Sequence, residues 1–525
     1  MADYYLHSVL GNNANAGTQA APKQYFDSAL RTLMVAGDRL FFHRGYDNPI
    51  VQSAAGQYLA PRAGTAALPV YYGAWGVGRL PKAVVYKANA YDSMIFNAGG
   101  TQGRYTVWED ILFDGRGEVA NSIYMATQGA NQCSDITLRR CDATRMTGSG
   151  FSLVTEASAT GASPTGILLE SCRAYGNAVH GIFLQGYNNR IWLPECFGNG
   201  ATGPTGGHGV SLGATKTDLA ASGWTLVGGA IYSRTVTAGH ANAVFAMRVD
   251  GYSTVLTQYT GATPNTSTPA NQFAIAGTTL YINLNGANPN SYTSTYAWKR
   301  TYGNVVYGGR MYANQWNRAA TYHEGHGLAA DDWADSNFFI GNRVYENEGL
   351  GLSNNRGASN CWYGNVVEDN WLPGISVNPA DGVRVVNNTF RRNNSGEGAS
   401  AYTAPVYFNA GCSNAVISNN LIECLSRDTY GINVDPADTG HGGATNLIYG
   451  TGTATRSGTF TGTQQFDASS YLNEDGSLKT TIDVGGIPMP NSLRNAGTYI
   501  QGVTLRNGRA QPGMTPIGAY QVGRY

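Results

Sequence analysis

Charge is what this chain has least of. Asp, Glu, Lys and Arg together make up 13% of 525 residues, about half the ~25% of an ordinary soluble domain, and they balance at 34 basic against 34 acidic side chains. No cluster of Lys or Arg interrupts that neutrality, which excludes a nucleic-acid backbone or an anionic membrane surface as the principal partner. A neutral polar or weakly charged ligand suits such a chain better. No run of 18 apolar residues occurs, so no membrane insertion is expected. The seven cysteines include no CxxC, which removes zinc ribbons and thioredoxin-type redox motifs. The opening MADYYLHSVLGNN lacks the basic start and apolar centre of a signal peptide. The expectation is export by another route, or a leader absent from this sequence.

Glycine, by contrast, is abundant: 69 residues, about twice the ~7% average. With 33 Tyr, 16 Phe and 9 Trp the chain has too much apolar surface to be disordered.

Self-similarity supplies the order. ITLRRCDA from Ile136, ILLESCRA from Ile167 and IWLPECFG from Ile191 share an Ile, a Leu two positions on and a Cys three later. The same slot recurs at Asp110, Cys141, Cys172, Cys196, Gly229, Gly309, Asn342, Asn365, Asn388 and Asn420, at intervals of 23 to 33 residues except for one of 80. A second series follows at a later phase: Gly150, Gly181, Gly209, Gly327, Gly351, Gly374, Pro405 and Gly431, each opening a short alternating segment. At least two short strands per repeat with no intervening helical pattern predict an all-β parallel solenoid, in which each strand pairs with its equivalent one winding away. Asn at stacked positions would form a ladder, and Cys at the same slot would pack as a small buried hydrophobe.

The organisation expected is an N-terminal cap and first coils over 1–100, a parallel β-helix over 101–454, and a closing segment over 455–525. The long interval places an inserted antiparallel β subdomain at 234–300, where VFAMRVDG and TTLYINLN alternate between Pro/Thr/Asn-rich turns. An amphipathic helix from about Lys23 to Val35, ended by Gly37, would plug the N-terminal end.

These features resemble the right-handed parallel β-helix superfamily, which includes pectate-lyase-like polysaccharide-active proteins and bacteriophage tailspikes. The parts that carry the resemblance are GNNANAGTQAAPKQYFDSAL with AGDRLFFHRG, the coil signatures VRVVNNTFRRNN and AVISNNLIEC, the hairpin TTLYINLNGANPN, and the closing NSLRNAGTY with TPIGAYQ. The resemblance implies a single-stranded right-handed β-helix. It also implies either a virion protein acting on a bacterial surface polysaccharide, with other virion proteins as partners, or a non-catalytic adhesive or decoration protein of the virion. A secreted polysaccharide lyase is the third implied reading. Tailspike relatives are homotrimers and many secreted relatives are monomers.

Chemistry concentrates in TYHEGHGLAADDW, residues 321–333. His326 precedes the strand-opening Gly327, and its equivalents in earlier repeats are His208 and His180, so the solenoid would place three histidines in one column. H-E-x-H on a turn is not the H-E-x-x-H of a zinc protease. Glu324 with Asp331 or Asp332 would supply the two carboxyl groups that glycoside hydrolysis needs. Elimination from a uronate would instead use His326 or His208 as base and Arg356 as the cation. His180, His323, Tyr322, Trp333 and Arg356 would line the binding surface, with Tyr345 and Trp362 as further aromatic platforms. No cofactor is required, although Asp331, Asp332 and backbone carbonyls would also suit calcium. The plainer alternatives are that Asp331 is a turn residue and that Asp332 pairs with Arg356.

Overall fold

The structure is a computed structural model that describes residues 1–51, 59–85, 91–97, 103–127, 132–155, 163–200, 207–213, 215–220, 223–236, 246–249, 256–259, 261, 263–292, 294–299, 301–315, 325–331, 334–396, 402–443, 446–450, 454–456 and 464–467. Of the expected closing segment at 455–525, all but a few residues lie outside that set.

Three long parallel sheets run along the molecule. The first has 12 strands, from Asp3–Tyr5 to Val416–Ser418, the second 13, from Asp47–Ile50 to Gln464–Asp467, and the third 11, from Tyr91–Asn97 to Ala454–Arg456. Neighbouring strands in each sheet are equivalents one winding apart. Leu169, for example, pairs with Leu138 on one side and Ile191 on the other. At ~4.8 Å per winding the first sheet makes a rod of roughly 50 Å. The chain is therefore an all-β parallel β-helix, with three strands per winding where the repeat pattern called for at least two.

Alternation explains why these segments form strands. Ile136 and Leu138, Ala143, and Phe151 and Leu153 point inward from three consecutive strands into one continuous core. Like residues stack there: the ring centroids of Tyr72 and Trp108 are 3.9 Å apart and those of Phe339 and Trp362 3.8 Å, both pairs with nearly parallel planes. Trp362 is fully buried in this core, which corrects its expected use as a sugar platform. All seven cysteines are free and buried.

Asparagines close the turns. Asn342, Asn365, Asn388, Asn420 and Asn446 form a ladder in which each side-chain amide donates to the next Oδ1 at 2.8–3.1 Å. Two further ladders accompany it, Asn189–Asn304–Asn337–Asn360 and Asn177–Asn199–Asn314–Asn347–Asn370–Asn393.

The register departs from the expected alignment at three places. Cys196 stacks on Ala174, so it is Pro194 that follows Cys172. Asp110 stacks on Arg140, one residue before the Cys141 slot. A two-residue slip leaves an alternating pattern unchanged, which is why Cys196 looked equivalent. Gly229 is in no winding at all. It occupies the turn of a hairpin, at φ +55°, between Thr225–Gly228 and Ile231–Thr235.

That hairpin belongs to a group of mostly antiparallel strands lying between Thr215 and Lys299, in which Thr257–Gln258 pairs parallel with Gln272–Ala276. One sheet has three strands, Thr215–Ala220, Ser294–Lys299 and Ala246–Val249, and another has five, with a core of its own built on Trp224, Phe273, Leu280 and Ile282. The antiparallel strands thus begin well before 234.

At the N-terminus the helix spans only Ser28–Leu33, capped by Asp27 accepting from the Leu30 N–H at 2.8 Å. Lys23 cannot join it, because its backbone pairs with Tyr5 and His7 of the first strand region. Leu30 and Met34 pack into the main core.

The glycines of the third sheet have a steric cause. A Cβ on Gly209 would stand 2.6 Å from the Gly327 carbonyl oxygen and 3.0 Å from both Met311 Cβ and Asn314 Nδ2. Gly150 and Gly181 face the next winding's carbonyl at the same 2.6 Å. Gly209→Ala must therefore push two windings apart. It is expected to destabilise by about 1–3 kcal/mol, read as a lower thermal midpoint.

Candidate functional site

The residue before each of these glycines sits at the edge of the third sheet, and in three windings it is histidine. The rings stack: His180 and His208 have centroids 4.9 Å apart, and His208 and His326 4.6 Å apart with planes within 5°. Phe183 continues the column, 5.4 Å from His180. Each imidazole is also bonded to the backbone. His180 Nδ1 accepts the His208 N–H at 3.2 Å, His208 Nδ1 accepts the His326 N–H at 3.2 Å, and His326 Nδ1 accepts the Leu350 N–H at 3.0 Å.

An Nδ1 that accepts must carry a lone pair, so the ring proton of all three is on Nε2. Burial pushes the His180 pKa down to about 4, and burial with His180 nearby pushes His326 down to about 3. These groups stay neutral in the folded state while ordinary unfolded histidines protonate near 6.5. At pH above 6.5 neither state binds the proton and no stability is lost; below it the unfolded chain gains protons first, so stability falls as pH drops from 6.5 toward 4. His326→Gln removes a group that titrates only on unfolding. Its thermal midpoint is expected to drop less than that of the native chain over this range.

Asp331 follows the next strand of the same sheet, Leu328–Ala330, with its N–H bonded to the Leu212 carbonyl at 2.6 Å. Its carboxylate reaches back one winding, where Oδ2 accepts from Ser211 Oγ at 3.0 Å and lies 3.5 Å from His208 Nε2. The side chain therefore crosses between windings rather than bonding only its own turn. Residues 120 and 123 positions apart in sequence are thereby joined into one Ser211–Asp331–His208 group.

Of the other expected site residues, Arg356 is exposed on the turn after Asn355 at φ +63°, and it is engaged with another group. Tyr322, His323, Glu324, Asp332 and Trp333 lie outside the described residues, as does the expected Asp332 partner of Arg356. Tyr345 is on the second sheet, last in a stack with Tyr175, Phe197 and Tyr312. Such a stack presents ring edges rather than faces outward. Ser211 was missed by sequence reasoning. Its signal was its place as the polar middle residue of VSL, between two core residues.

Along the outer side of the third sheet, Phe183, Ser211, Ala329, Ser353, Ser376 and Tyr407 follow one another in register. The four small residues are buried, and the flanking rims are half-buried: His180 and His326 on one side, Asp331, Asn355, Asn378 and Asn409 on the other. Nine consecutive strands of this sheet, Val119–Thr127 to Tyr430–Val434, contain no charged residue. Among the described residues, Arg–carboxylate pairs join neighbouring strands of the other two sheets: Arg39–Asp3 and Arg139–Glu170 on the first, Arg173–Asp142, Arg310–Glu195 and Arg343–Glu368 on the second.

No protein-family profile and no curated protein matches the sequence. Among solved structures, the A-module of the Azotobacter vinelandii mannuronan C-5 epimerase AlgE6 aligns with a TM-score of 0.51 at 14% identity, covering 83% of this chain and 92% of that one. The A-module of AlgE4 from the same organism gives 0.50 at 14% identity, covering 89% and 100%. The likeness is one of fold: the chain, like these, is a right-handed parallel β-helix.

Proposed function

We propose that the protein binds a bacterial surface polysaccharide along the outer side of the third sheet and cleaves it beside Asp331, acting as a virion component. The observation that carries this reading is the Ser211–Asp331–His208 group, a carboxylate held across two windings and edged by a column of imidazole donors. Glycoside cleavage needs two carboxyl groups across the scissile bond. Asp331 supplies one, and Glu324 and Asp332 are the sequence's candidates for the other.

The histidines take a different role from the one expected of a base. With Nδ1 accepting a backbone N–H and the proton on Nε2, neither His208 nor His326 has a lone pair for proton abstraction, so hydrolysis is favoured over elimination. His208 orients Asp331, while His180 and His326 offer Nε2–H groups that take no partner among the described residues.

Incubating the purified chain with host capsule and lipopolysaccharide, and reading released fragments by mass spectrometry, tests the proposal. Saturated oligosaccharides with new reducing ends are expected. Unsaturated ends would replace hydrolysis with elimination. A glycan that is bound yet yields no fragments would favour the adhesive reading, which the mutual satisfaction of Asp331, Ser211 and His208 also suits. Virion partners and a homotrimer belong to the same proposal, and sedimentation of the purified chain tests the assembly.

A further inference from the structure

Resting on the reading of the third sheet as a glycan surface, we infer that the polysaccharide segment seated there is uncharged, built of hexoses, deoxyhexoses or N-acetylated amino sugars and not of uronic acids. The first observation is the distribution of charge. Arg, Asp and Glu pair from winding to winding on the first sheet, as Arg139–Glu170, and on the second, as Arg173–Asp142, Arg310–Glu195 and Arg343–Glu368, whereas the nine strands from Val119–Thr127 to Tyr430–Val434 of the third hold none. A polyuronate brings one carboxylate per sugar. Laid on this face, each would be stripped of water with no cation on the nine described strands to receive it, which is among the costliest transfers a surface can impose.

The second observation is that the imidazoles cannot become those cations. Each holds the next winding's N–H on Nδ1, so protonating a ring means breaking a backbone contact that joins two windings. The charged group described at the site, Asp331, is itself an anion, and Arg356 at the rim is already engaged. Electrostatics at this edge therefore disfavours a second anion.

What the face does offer is neutral hydrogen bonding at winding intervals. Asn378 Nδ2 donates to Asn355 Oδ1 at 3.4 Å and Asn409 Nδ2 donates to Asn378 Oδ1, so these rim amides still have hydrogens and lone pairs beyond their mutual bonds. With the Nε2–H groups of His180 and His326 on the opposite rim, they flank the face with a row of uncharged donors and acceptors on one side and of donors on the other. Sugar hydroxyls and acetamido groups, which both give and take hydrogen bonds, complement such a row.

The test is affinity electrophoresis of the full chain through gels holding neutral bacterial polysaccharides, alginate or polygalacturonate, at low and high salt. Neutral polymers are expected to retard it at least tenfold more strongly than either uronate, with no change on adding salt. Stronger retardation by a uronate, or binding that collapses with salt, overturns the inference and leaves the glycan reading standing. Binding to none of the polymers sinks that reading and the inference with it. Asn378→Lys places a cation on the rim, and is expected to weaken neutral binding several-fold while introducing salt-sensitive retardation by polygalacturonate. A variant that binds both classes as the native chain does would remove this face as the binding surface.

Discussion

Asp331→Asn is expected to abolish fragment release from a susceptible glycan while leaving the fold and glycan binding in place. The substitution is isosteric: the amide Oδ1 can still accept from Ser211 Oγ, and the side chain keeps its crossing between windings. What disappears is the charge and the ability to exchange a proton. A positioned acid or base contributes about 10²–10⁴ in rate, so release measured by reducing-end assay should fall by about 10³ with little change in retardation on a binding gel. Activity within about threefold of the native chain would show that the carboxylate is scaffold. Ser211→Ala separates orientation from chemistry. It removes one hydrogen bond to Asp331 and should lower the rate by roughly tenfold, consistent with the loss of one bond to a charged group.

Asn365→Leu is expected to produce the largest loss of stability of any single substitution considered. The Asn365 amide donates to Phe339 O at 2.9 Å and to Asn388 Oδ1 at 3.0 Å, and its Oδ1 accepts from both the backbone and the side chain of Asn342 at 2.9 and 3.0 Å. The site is completely buried, so no water can replace these partners. Leucine fits the volume but strands the Asn342 N–H and the Phe339 carbonyl, together with one hydrogen of the Asn342 amide. At about 1–3 kcal/mol for each orphaned group the cost is roughly 3–9 kcal/mol, a large part of the 5–15 kcal/mol that holds a typical domain. Limited proteolysis gives a direct reading, because a broken ladder should open the windings on either side of 365 first. A variant as protease-resistant as the native chain would mean that the ladder stabilises far less than its geometry implies.

How much of this could be read without coordinates differs from feature to feature. The parallel solenoid was legible because apolar residues at alternate positions and turn residues at fixed phase recur through most of the chain. The histidine column was legible for the same reason, since His180, His208 and His326 each precede a strand-opening glycine. The pairing of Cys196 was not, because a shift of two residues returns every side chain to the same face. Two of the three Asn ladders were overlooked although their signal was present: Asn347, Asn370 and Asn393 each stand five positions after Asn342, Asn365 and Asn388. The Ser211–Asp331 bond lay beyond reach, because nothing in VSL or LAADD says that a carboxylate will turn back across a winding. The neutrality of the third sheet is visible in the letters of VSL, LAA, LSN and ISV beside RMY and RVY, once the strands have been assigned to sheets.

The strands between Thr215 and Lys299 separate Val210–Leu212 from Leu328–Ala330, which nevertheless pair as nearest neighbours. On a ribosome, the half of the rod made first must therefore wait with an open end while more than a hundred residues emerge. The edge left unpaired during that wait is the one that holds His208 and Ser211. The seam at which Asp331 arrives is thus the slowest join in the nascent chain, and replacing 215–299 with a short turn should speed refolding without altering the stacked rings on either side.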